Sequence, residues 1–483
     1  MFYFRYWLLA LHSTLIACAI IVPTPLVGYI VTVVILLSSI VYVKNGFMFI
    51  FIFFPFRPFL VEINNGLTYL GDLLILFTLL FILIRQRPAL KALWRKYRFT
   101  LPFLLVLAVG LFAGLLNGIS PIAGIFEIRA LLITFLLIYI SAEFPWKRKD
   151  INQLIYVSMG TAVIISIHGL IEKLSLRNWL LPETWENLDL ASANAMRIYG
   201  LVGNPNVLAT YLFIVFFATF LLKDPKLHVG WLGVIRVLLL GTMLLTYSRG
   251  TILAFGAGVL IFLIIYRTWK KAIPLLVYGL IAFAFIYYPV VAATDAIETS
   301  GYFDEATTTT QEPENNDSTE DTENQKQNNV FIERFKEMFS NDTIQASAEW
   351  GRLYVVFKGV EVFLDHPVIG SGFATFGDAA TQSYPSPIYD EYGIPNNLYA
   401  DNQYILLLTE TGVIGILLSL TFVILLAIKC WKLDNRLWRS ISLASLTVLL
   451  AAGLFYNILE DKTFTLYFYV IIGYVLNKQR LET

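Results

Sequence analysis

The chain has 483 residues, of which 57% are hydrophobic and only 14% are charged. So many apolar runs of bilayer length exclude a single soluble globular domain. The 35 basic and 35 acidic side chains cancel, so the composition gives no indication of a nucleic-acid partner. The two cysteines offer neither a metal cluster nor a disulfide framework, and we expect no cofactor and no metal. Composition therefore predicts an all-α polytopic protein of the lipid bilayer.

About fourteen segments have the length and apolar character of membrane-spanning helices. The first follows a single arginine and lacks a small-residue cleavage site, so we expect it to be retained. A count of twelve would require two neighbouring segments to be lost together. The predicted spans are 4–22, 25–43, 46–63, 67–85, 100–117, 122–142, 151–171, 205–222, 231–247, 249–267, 273–292, 403–429, 438–457 and 462–478.

Basic clusters predict the orientation of these spans, because short cytoplasmic loops collect Lys and Arg. The strongest cluster lies at 85–98, between the fourth and fifth spans. Every cluster falls on the same side of the fourteen-span arrangement, so we expect both termini in the cytoplasm. The remaining clusters are 147–149, 223–226, 267–271, 429–439 and 478–480.

The same arrangement leaves two long segments on the outer side, near 172–204 and 291–402. The second separates the first eleven spans from the last three. We therefore divide the chain into spans one to eleven (1–292), a large extracytoplasmic loop (293–402) and spans twelve to fourteen (403–483).

The large loop changes character along its length. Residues 304–329 are acidic, polar and almost free of apolar side chains, so we expect a disordered insertion with too little apolar surface to fold. Residues 330–339 space apolar side chains for one helical face, which predicts a short helix on the membrane surface or against other loop helices. An amphipathic helix of about four turns follows at 349–364, ending where Pro and Gly residues of 365–373 force a turn.

Three arginines on the predicted outer side carry most of the functional information: Arg197, Arg249 and Arg352. A guanidinium beside lipid costs roughly 3 kcal/mol at a helix centre on insertion scales, so several near the hydrocarbon edge indicate an anion to hold. Arginine suits a phosphate because its planar fork donates two parallel hydrogen bonds and stays charged. The pattern therefore predicts a lipid-linked phosphate or diphosphate as ligand.

Each arginine also has a structural explanation. Arg249 lies where one span ends and the next begins, with one residue on each side, so snorkelling to lipid headgroups is its alternative. Arg197 could be a solvated loop residue. Arg352 could pair with Glu349, three residues earlier, in an exposed contact worth roughly 0.5 kcal/mol or less.

Further ionisable side chains are weaker candidates. Asp401 lies at the mouth of the twelfth span and could accept a proton, and an N-cap role for Asp401 or Asn402 is the rival explanation. His366 could be a base, although His-Pro at a helix end is more often a turn. Arg129, about two turns inside the sixth span with Glu127 nearby, could face a cavity or form an interior ion pair. Spans three and four raise the same question at Arg57 and Asp72.

Four short motifs lie in order along the chain: Gly203-Asn-Pro-Asn206, Ser248-Arg-Gly250, Arg352 with His366-Pro-Val-Ile-Gly-Ser-Gly372, and Asp401-Asn402 followed by Glu410-Thr-Gly-Val-Ile-Gly415. Together with the long outer loop before the last spans, they resemble the bacterial O-antigen ligase and O-antigen polymerase family. The resemblance covers about 197–415, and the rest of the chain matches mainly in hydropathy.

The resemblance implies a membrane bundle of the GT-C-like type whose site faces outward. It implies that Arg197, Arg249 and Arg352 hold the diphosphate of a polyprenyl-diphosphate-linked glycan. It also implies that Asp401 is the base that activates the acceptor hydroxyl. Ligases of the family typically show His-Asn where this chain shows Asp-Asn, which weakens the ligase label, whereas related peptidoglycan polymerases use carboxylate bases.

The chemistry is coherent without the family. An anomeric carbon on a diphosphate carries a good leaving group, so the protein must stabilise the departing charge and supply a base. Arginines can do the first without a metal ion, Asp401 can do the second, and direct displacement predicts inversion. We expect a glycosyltransferase of the bacterial cytoplasmic membrane, a polymerase in preference to a ligase, that moves lipid-linked oligosaccharide onto a glycan or lipid acceptor in surface polysaccharide biosynthesis.

Two rivals belong to other classes of protein. A flippase for the same lipid-linked sugar would use the arginines without a base and would line a membrane path with charge, whereas the candidates here cluster on one side. A scaffold that binds other polysaccharide-assembly proteins predicts that none of these residues matters individually.

Overall fold

The computed structural model describes residues 2–86, 90–188, 190, 192–222, 228–300, 351–396 and 398–482. Every regular element within these ranges is helical, as expected in lipid, where a helix satisfies its own backbone polar groups without water. The predicted disordered insertion at 304–329, the predicted short helix at 330–339 and Glu349 lie outside the described residues.

Most of the described helices are long and joined by short turns. A π-helical turn, Phe283–Tyr287, separates the helix that ends at Ala282 from the helix that begins at Tyr288. The helices are α1 (Phe2–Ile21), α2 (Pro25–Val41), α3 (Val43–Ile63), α4 (Leu70–Gln86), α5 (Leu90–Tyr97), α6 (Leu101–Leu116), α7 (Pro121–Phe135), α8 (Leu137–Glu143), α9 (Arg148–Leu174), α10 (Glu183–Glu186), α11 (Ser192–Ala195), α12 (Pro205–Ala218), α13 (Val229–Leu245), α14 (Arg249–Tyr266), α15 (Ala272–Ala282), α16 (Tyr288–Thr299), α17 (Arg352–Asp365), α18 (Tyr389–Tyr392), α19 (Gln403–Trp431), α20 (Arg436–Ala452) and α21 (Lys462–Glu482).

Eight helical segments of the described chain are long and apolar enough to cross a membrane. They are Val43–Ile63, Asn65–Arg85, Trp94–Leu116, Pro121–Glu143, Arg148–Leu174, Arg249–Tyr266, Trp269–Thr299 and Gln403–Trp431. Four shorter apolar helices are Trp7–Ile21, Pro25–Val41, Pro205–Leu221 and Val229–Leu245. These segments coincide with the first twelve predicted spans, and the last two predicted spans fall on α20 and α21. The count of fourteen stays a prediction.

The chain forms two compact units, and unit 1 has an aromatic interior. Phe51 of α3 packs edge to face on Tyr467 of α21, with ring centroids 5.2 Å apart. The Tyr467 hydroxyl donates to Ser158 Oγ of α9 at 2.7 Å, so helices far apart in sequence share one core. Unit 1 comprises 1–104, 128–299 and 420–483.

Asp461 lies in the turn between α20 and α21, where it caps α21. Its Oδ1 accepts hydrogen bonds from the backbone N–H groups of Thr463 at 2.8 Å and Phe464 at 3.0 Å. The Tyr456 hydroxyl donates to its Oδ2 at 3.3 Å. The residue is 7% exposed, and burial raises the pKa of Asp461 from its usual 3.8 to about 7, although these hydrogen bonds act in the opposite direction.

We expect Asp461 to make the folded stability depend on pH. Because its folded-state pKa is raised, its stabilising contribution is complete below the unfolded value of 3.8 and is lost as the pH rises through about 7. The wild type in detergent should lose stability on the order of 2 kcal/mol between about pH 5 and about pH 8 from this group. Asp461→Asn keeps the cap and removes the titrating group, so its stability, plotted against pH, should lack this loss. An equal loss of stability in both proteins would contradict the role assigned to Asp461.

Unit 2 has its own apolar core, built from α17, α18, the segments that connect α17 to α18 and α18 to α19, and the start of α19. This unit comprises 105–127 and 300–419. The core residues are Val355, Val362, Phe376, Ile388, Tyr389, Tyr392, Ile394, Leu398, Ala400 and Leu406.

Two backbone segments of unit 2 meet at Gly372 and Gly114. Gly372 has a φ of +98°, and a Cβ added there would overlap the backbone of Gly114 in α6. Next to it, the Phe373 N–H donates to the Gly110 carbonyl oxygen at 2.9 Å. The close approach requires glycine at both points, which explains one part of the motif ending at Gly372.

Replacing Gly372 with alanine should destabilise the protein by on the order of 3 kcal/mol or more, because a steric overlap is added to the cost of a left-handed residue. Gly393 is the matched control: its φ is +60°, and no described atom lies within 4 Å of an added Cβ. Gly393→Ala should cost about 1 kcal/mol. Thermal denaturation in detergent measures both, and equal losses would show that close approach is not the role of Gly372.

Candidate active site

In unit 1, the structure brings together two of the sequence motifs at the side chain of Asn206. The Asn206 Oδ1 accepts two hydrogen bonds, from Arg197 Nη2 at 3.0 Å and from Ser248 Oγ at 2.7 Å. Arg197 Nε donates to the carbonyl oxygen of Thr246 at 2.9 Å. Arg197 and the Ser248-Arg-Gly motif are therefore neighbours, and the guanidinium of Arg197 is held in one orientation.

The Gly203-Asn-Pro-Asn motif is the turn that begins α12. Gly203 has a φ of +69°, and Asn204 Oδ1 accepts from the N–H groups of Asn206 at 2.8 Å and Val207 at 3.2 Å. Pro205 occupies the first helical position, where its missing N–H costs nothing. This capped turn fixes the backbone of Asn206 and hence the group that orients Arg197.

A buried carboxylate anchors the segment that follows Arg197. Glu172, at the end of α9, is fully buried and accepts from the N–H of Gly200 at 2.7 Å and of Tyr199 at 3.1 Å. It also pairs with Arg177 Nη1 at 2.8 Å. Sequence reasoning missed Glu172. The available signal was a carboxylate just beyond the end of a predicted span.

Arg249 is the first residue of α14 and is half-buried. The preceding Tyr247 adopts a left-handed conformation with a φ of +52°, which is costly for a residue other than glycine. The following Gly250 packs directly against the ring of Phe455. The backbone on both sides of Arg249 is therefore constrained, as the short connection between two spans predicted.

In unit 2, α17 and the first half of α19 run parallel. The Thr409 hydroxyl donates to the Gly359 carbonyl oxygen at 3.1 Å. Further along both segments, the Val413 N–H donates to the carbonyl oxygen of Pro367 at 3.0 Å. The residue numbers of the contacting pairs increase together along both segments, so the chains run in the same direction. The first residues of the two helices therefore lie at the same end of unit 2.

This register separates the predicted site residues of unit 2 into two places. Arg352, exposed, begins α17, and Asp401 lies just before α19 at the same end. His366 ends α17 at the other end, about 20 Å away along a 14-residue helix. The structure therefore groups Arg352 with Asp401 and not with His366.

The sequence left open whether Asp401 or Asn402 caps the helix that follows. Asn402 Oδ1 accepts from the N–H groups of Tyr404 at 3.1 Å and Ile405 at 3.2 Å, so Asn402 is the cap. Asp401 is half-buried and has a φ of +46°.

Two further motifs meet where α19 is interrupted. Gly412 has a φ of 60° and a ψ of −163° inside the helix. The carbonyl oxygens of Thr409 and Glu410 accept from the N–H groups of Ser371 and Gly372, each at 2.9 Å. The interruption thus exchanges helical hydrogen bonds for contacts with the turn after His366-Pro, and periodicity in the sequence did not predict it.

A second buried carboxyl group, Asp378, holds the same turn from inside. It is fully buried and accepts from the N–H groups of Ala374 at 2.7 Å and Thr381 at 2.8 Å. Burial raises the pKa of Asp378 above its usual range, while hydrogen bonds from Glu410 and from those neighbours oppose the shift. Its burial assigns Asp378 to holding the loop and not to contact with substrate.

Arg129 forms the interior ion pair that was one of its two explanations. Its Nε donates to Asp72 Oδ2 of α4 at 2.6 Å.

For metal binding, no group of three or more His, Cys, Asp or Glu side chains within the described ranges is arranged to hold an ion.

The fold and these residues define the class of protein. This is a multi-pass membrane protein whose described residues form only helices, and Arg249 and Arg352 each begin one of them. Residues 234–420 match the family model described as Wzy_C: O-Antigen ligase. The match confirms the resemblance seen in the motifs and supports, in general, a membrane glycosyltransferase of the O-antigen ligase and polymerase type.

The matched range includes Arg249, Arg352, His366 and Asp401, and Arg197 lies before it. No curated protein sequence matches the chain. The roles of individual residues therefore depend on the geometry and chemistry of the chain itself.

Proposed function

We propose that the protein is a glycosyltransferase that transfers or polymerises polyprenyl-diphosphate-linked oligosaccharide units at the outer face of the cytoplasmic membrane. The matched family range supports the class of reaction. The single observation that carries the site is the contact of Arg197 with Asn206, next to Ser248 and Arg249. A guanidinium whose orientation is fixed in advance loses little freedom when it binds a diphosphate.

In the proposed reaction, an acceptor hydroxyl oxygen attacks the anomeric carbon of the donor sugar. The bond from that carbon to the diphosphate oxygen breaks, and its electron pair leaves with the diphosphate. Arg197, Arg249 and Arg352 neutralise the charge on the leaving group. Asp401 accepts the hydroxyl proton, and displacement from the opposite side inverts the anomeric configuration.

Polymerase and ligase share this chemistry and differ in the acceptor. We favour the polymerase, because Asp401-Asn402 stands where ligases of the family typically show His-Asn. Purified wild type incubated with lipid-linked repeat units alone should give longer lipid-linked products. Transfer only after a different lipid or glycan acceptor is added would identify a ligase.

A flippase for the same lipid-linked sugar is the second candidate, since bound diphosphate without a base would suffice for it. Proteoliposomes separate the two functions: a flippase moves labelled substrate across the bilayer without new glycosidic bonds. Translocation by wild type without chain extension would replace our proposal.

A further inference from the structure

A cluster of four charged side chains lies in unit 1 outside the site already described. Asp72 of α4 forms ion pairs with Arg129 Nε at 2.6 Å and with Lys462 Nζ at 3.3 Å. Arg57 of α3 interacts electrostatically with the same carboxylate. Its Nη2 donates to the Thr68 carbonyl oxygen at 3.3 Å. Its Nε is buried without a hydrogen-bond acceptor among the described residues.

Among these four side chains, the positive charges outnumber the negative. Three cations, Arg57, Arg129 and Lys462, surround one carboxylate, and Asp72 can neutralise one of them. Cationic side chains within an apolar helical bundle are costly and mark ligand or ion sites when they converge. An anion carrying about two negative charges would offset the excess.

The cluster lies at the same end of unit 1 as the Arg197 and Arg249 site. Pro58, adjacent to Arg57, lies 3.6 Å from the position of an added Cβ at Gly203. The Thr184 hydroxyl donates to Glu62 Oε1 at 2.7 Å, tying the end of α3 to the loop before Arg197. Phe455 packs on Gly250, next to Arg249, and the segment that begins at Phe455 continues to Lys462.

The cluster is also partly exposed at the protein surface. The side chains of Arg129 and Lys462 are 19% and 16% exposed, whereas Asp72 is 6% exposed. Two of the three cations therefore lie nearer the surface than the carboxylate. An approaching anion would meet cations first.

We infer that Arg57, Arg129 and Lys462 form a second phosphate-binding site, separate from Arg197 and Arg249, for a phosphate or diphosphate group. The group is either lipid-borne, as in a polyprenyl diphosphate, or free in solution, as in pyrophosphate. Guanidinium groups bind both forms through the same oxygens. The inference concerns binding and does not depend on the proposed transfer reaction.

The test measures binding of inorganic pyrophosphate to purified full-length protein in detergent by calorimetry. Arg249→Met weakens the first site, and Arg249→Met with Arg57→Met weakens both. Adding Arg57→Met should weaken the remaining binding by about tenfold or more, the effect of losing a charged hydrogen-bonding partner. Equal binding by the single and the double variant would overturn the inference, as would absence of binding in the wild type.

Asp72→Asn should change the pyrophosphate affinity in the opposite direction to Arg57→Met. This difference distinguishes a ligand site from a purely structural cluster. Removing the carboxylate increases the positive excess, so pyrophosphate should bind several-fold more tightly. Weaker binding by folded Asp72→Asn would contradict the inference. If Asp72→Asn does not fold, Lys462→Met tests the same site from its exposed side, and unchanged pyrophosphate affinity there would overturn it.

Competition identifies the source of the phosphate. Displacement of pyrophosphate by detergent-solubilised polyprenyl diphosphate at the lower concentration would assign a lipid-borne ligand. The reverse order would assign the free anion. Either order supports a phosphate site. The inference would be overturned if the two ligands competed equally well with and without the Arg57→Met substitution.

Discussion

Replacing Arg249 with alanine is expected to reduce glycan transfer by about 100-fold or more, the loss typical when one preorganised donor to a developing anion is removed. The reason is that Arg249 begins α14 on a constrained backbone, with Tyr247 left-handed and Gly250 against Phe455. Water cannot reproduce the charge and paired donors of a guanidinium at the leaving diphosphate. Initial rates with saturating lipid-linked donor measure the effect on turnover.

A matched arginine provides the control for Arg249. Arg236 of α13 donates from Nε to Thr219 Oγ1 at 2.8 Å, and its guanidinium lies 4.0 Å from the Phe220 ring centroid. These contacts are structural, so Arg236→Ala should keep the transfer rate per folded molecule. Arg249→Lys should recover part of the rate, because the charge remains while the two-pronged donor is lost. Near wild-type transfer by folded Arg249→Ala would exclude the proposed role.

Replacing Asp401 with asparagine should lower transfer by about 100-fold to 10,000-fold, the range for a general base, while donor binding stays near its wild-type value. Asparagine tolerates the left-handed backbone conformation found at this position. The variant therefore changes proton acceptance more than structure. Donor binding by calorimetry and transfer rate, measured on the same preparation, separate the two effects.

The neighbouring residue is the control for Asp401. Asn402→Ala removes the cap made to Tyr404 and Ile405 and should cost about 1 kcal/mol of stability. Its folded fraction should still transfer glycan. If Asn402→Ala loses transfer as severely as Asp401→Asn, helix position rather than a base explains both results.

The sequence predicted the helical class and the main helix positions, because lipid demands long apolar helices. The predicted spans 249–267 and 403–429, for example, correspond to Arg249–Tyr266 and Gln403–Trp431. The constraint at Arg249 followed from the short connection between two spans. These features depend on local composition, which a single sequence records.

Contacts between distant segments were not predictable in the same way. Asn206 meets Arg197 and Ser248 through a capped turn, and no spacing rule pairs those positions. Lys462 pairs with Asp72 across 390 residues. Such contacts depend on how helices pack, and periodicity says only which face is apolar.

The interruption of α19 at Gly412 was missed for a related reason. Hydropathy continues through it without a break, and its carbonyl groups are satisfied by Ser371 and Gly372 from another segment. The same applies to Glu172, whose role as a backbone acceptor depends on the loop that returns to it. Both features are tertiary, although the glycine and the carboxylate that make them are visible in the sequence.

The most direct measurement of the central claim is a reaction of purified wild type with lipid-diphosphate-linked oligosaccharide in which both products are counted. Our account predicts that one polyprenyl diphosphate is released for each new glycosidic bond, with inverted anomeric configuration. Folded protein that binds the donor and yields neither product, with or without added acceptor, would contradict it.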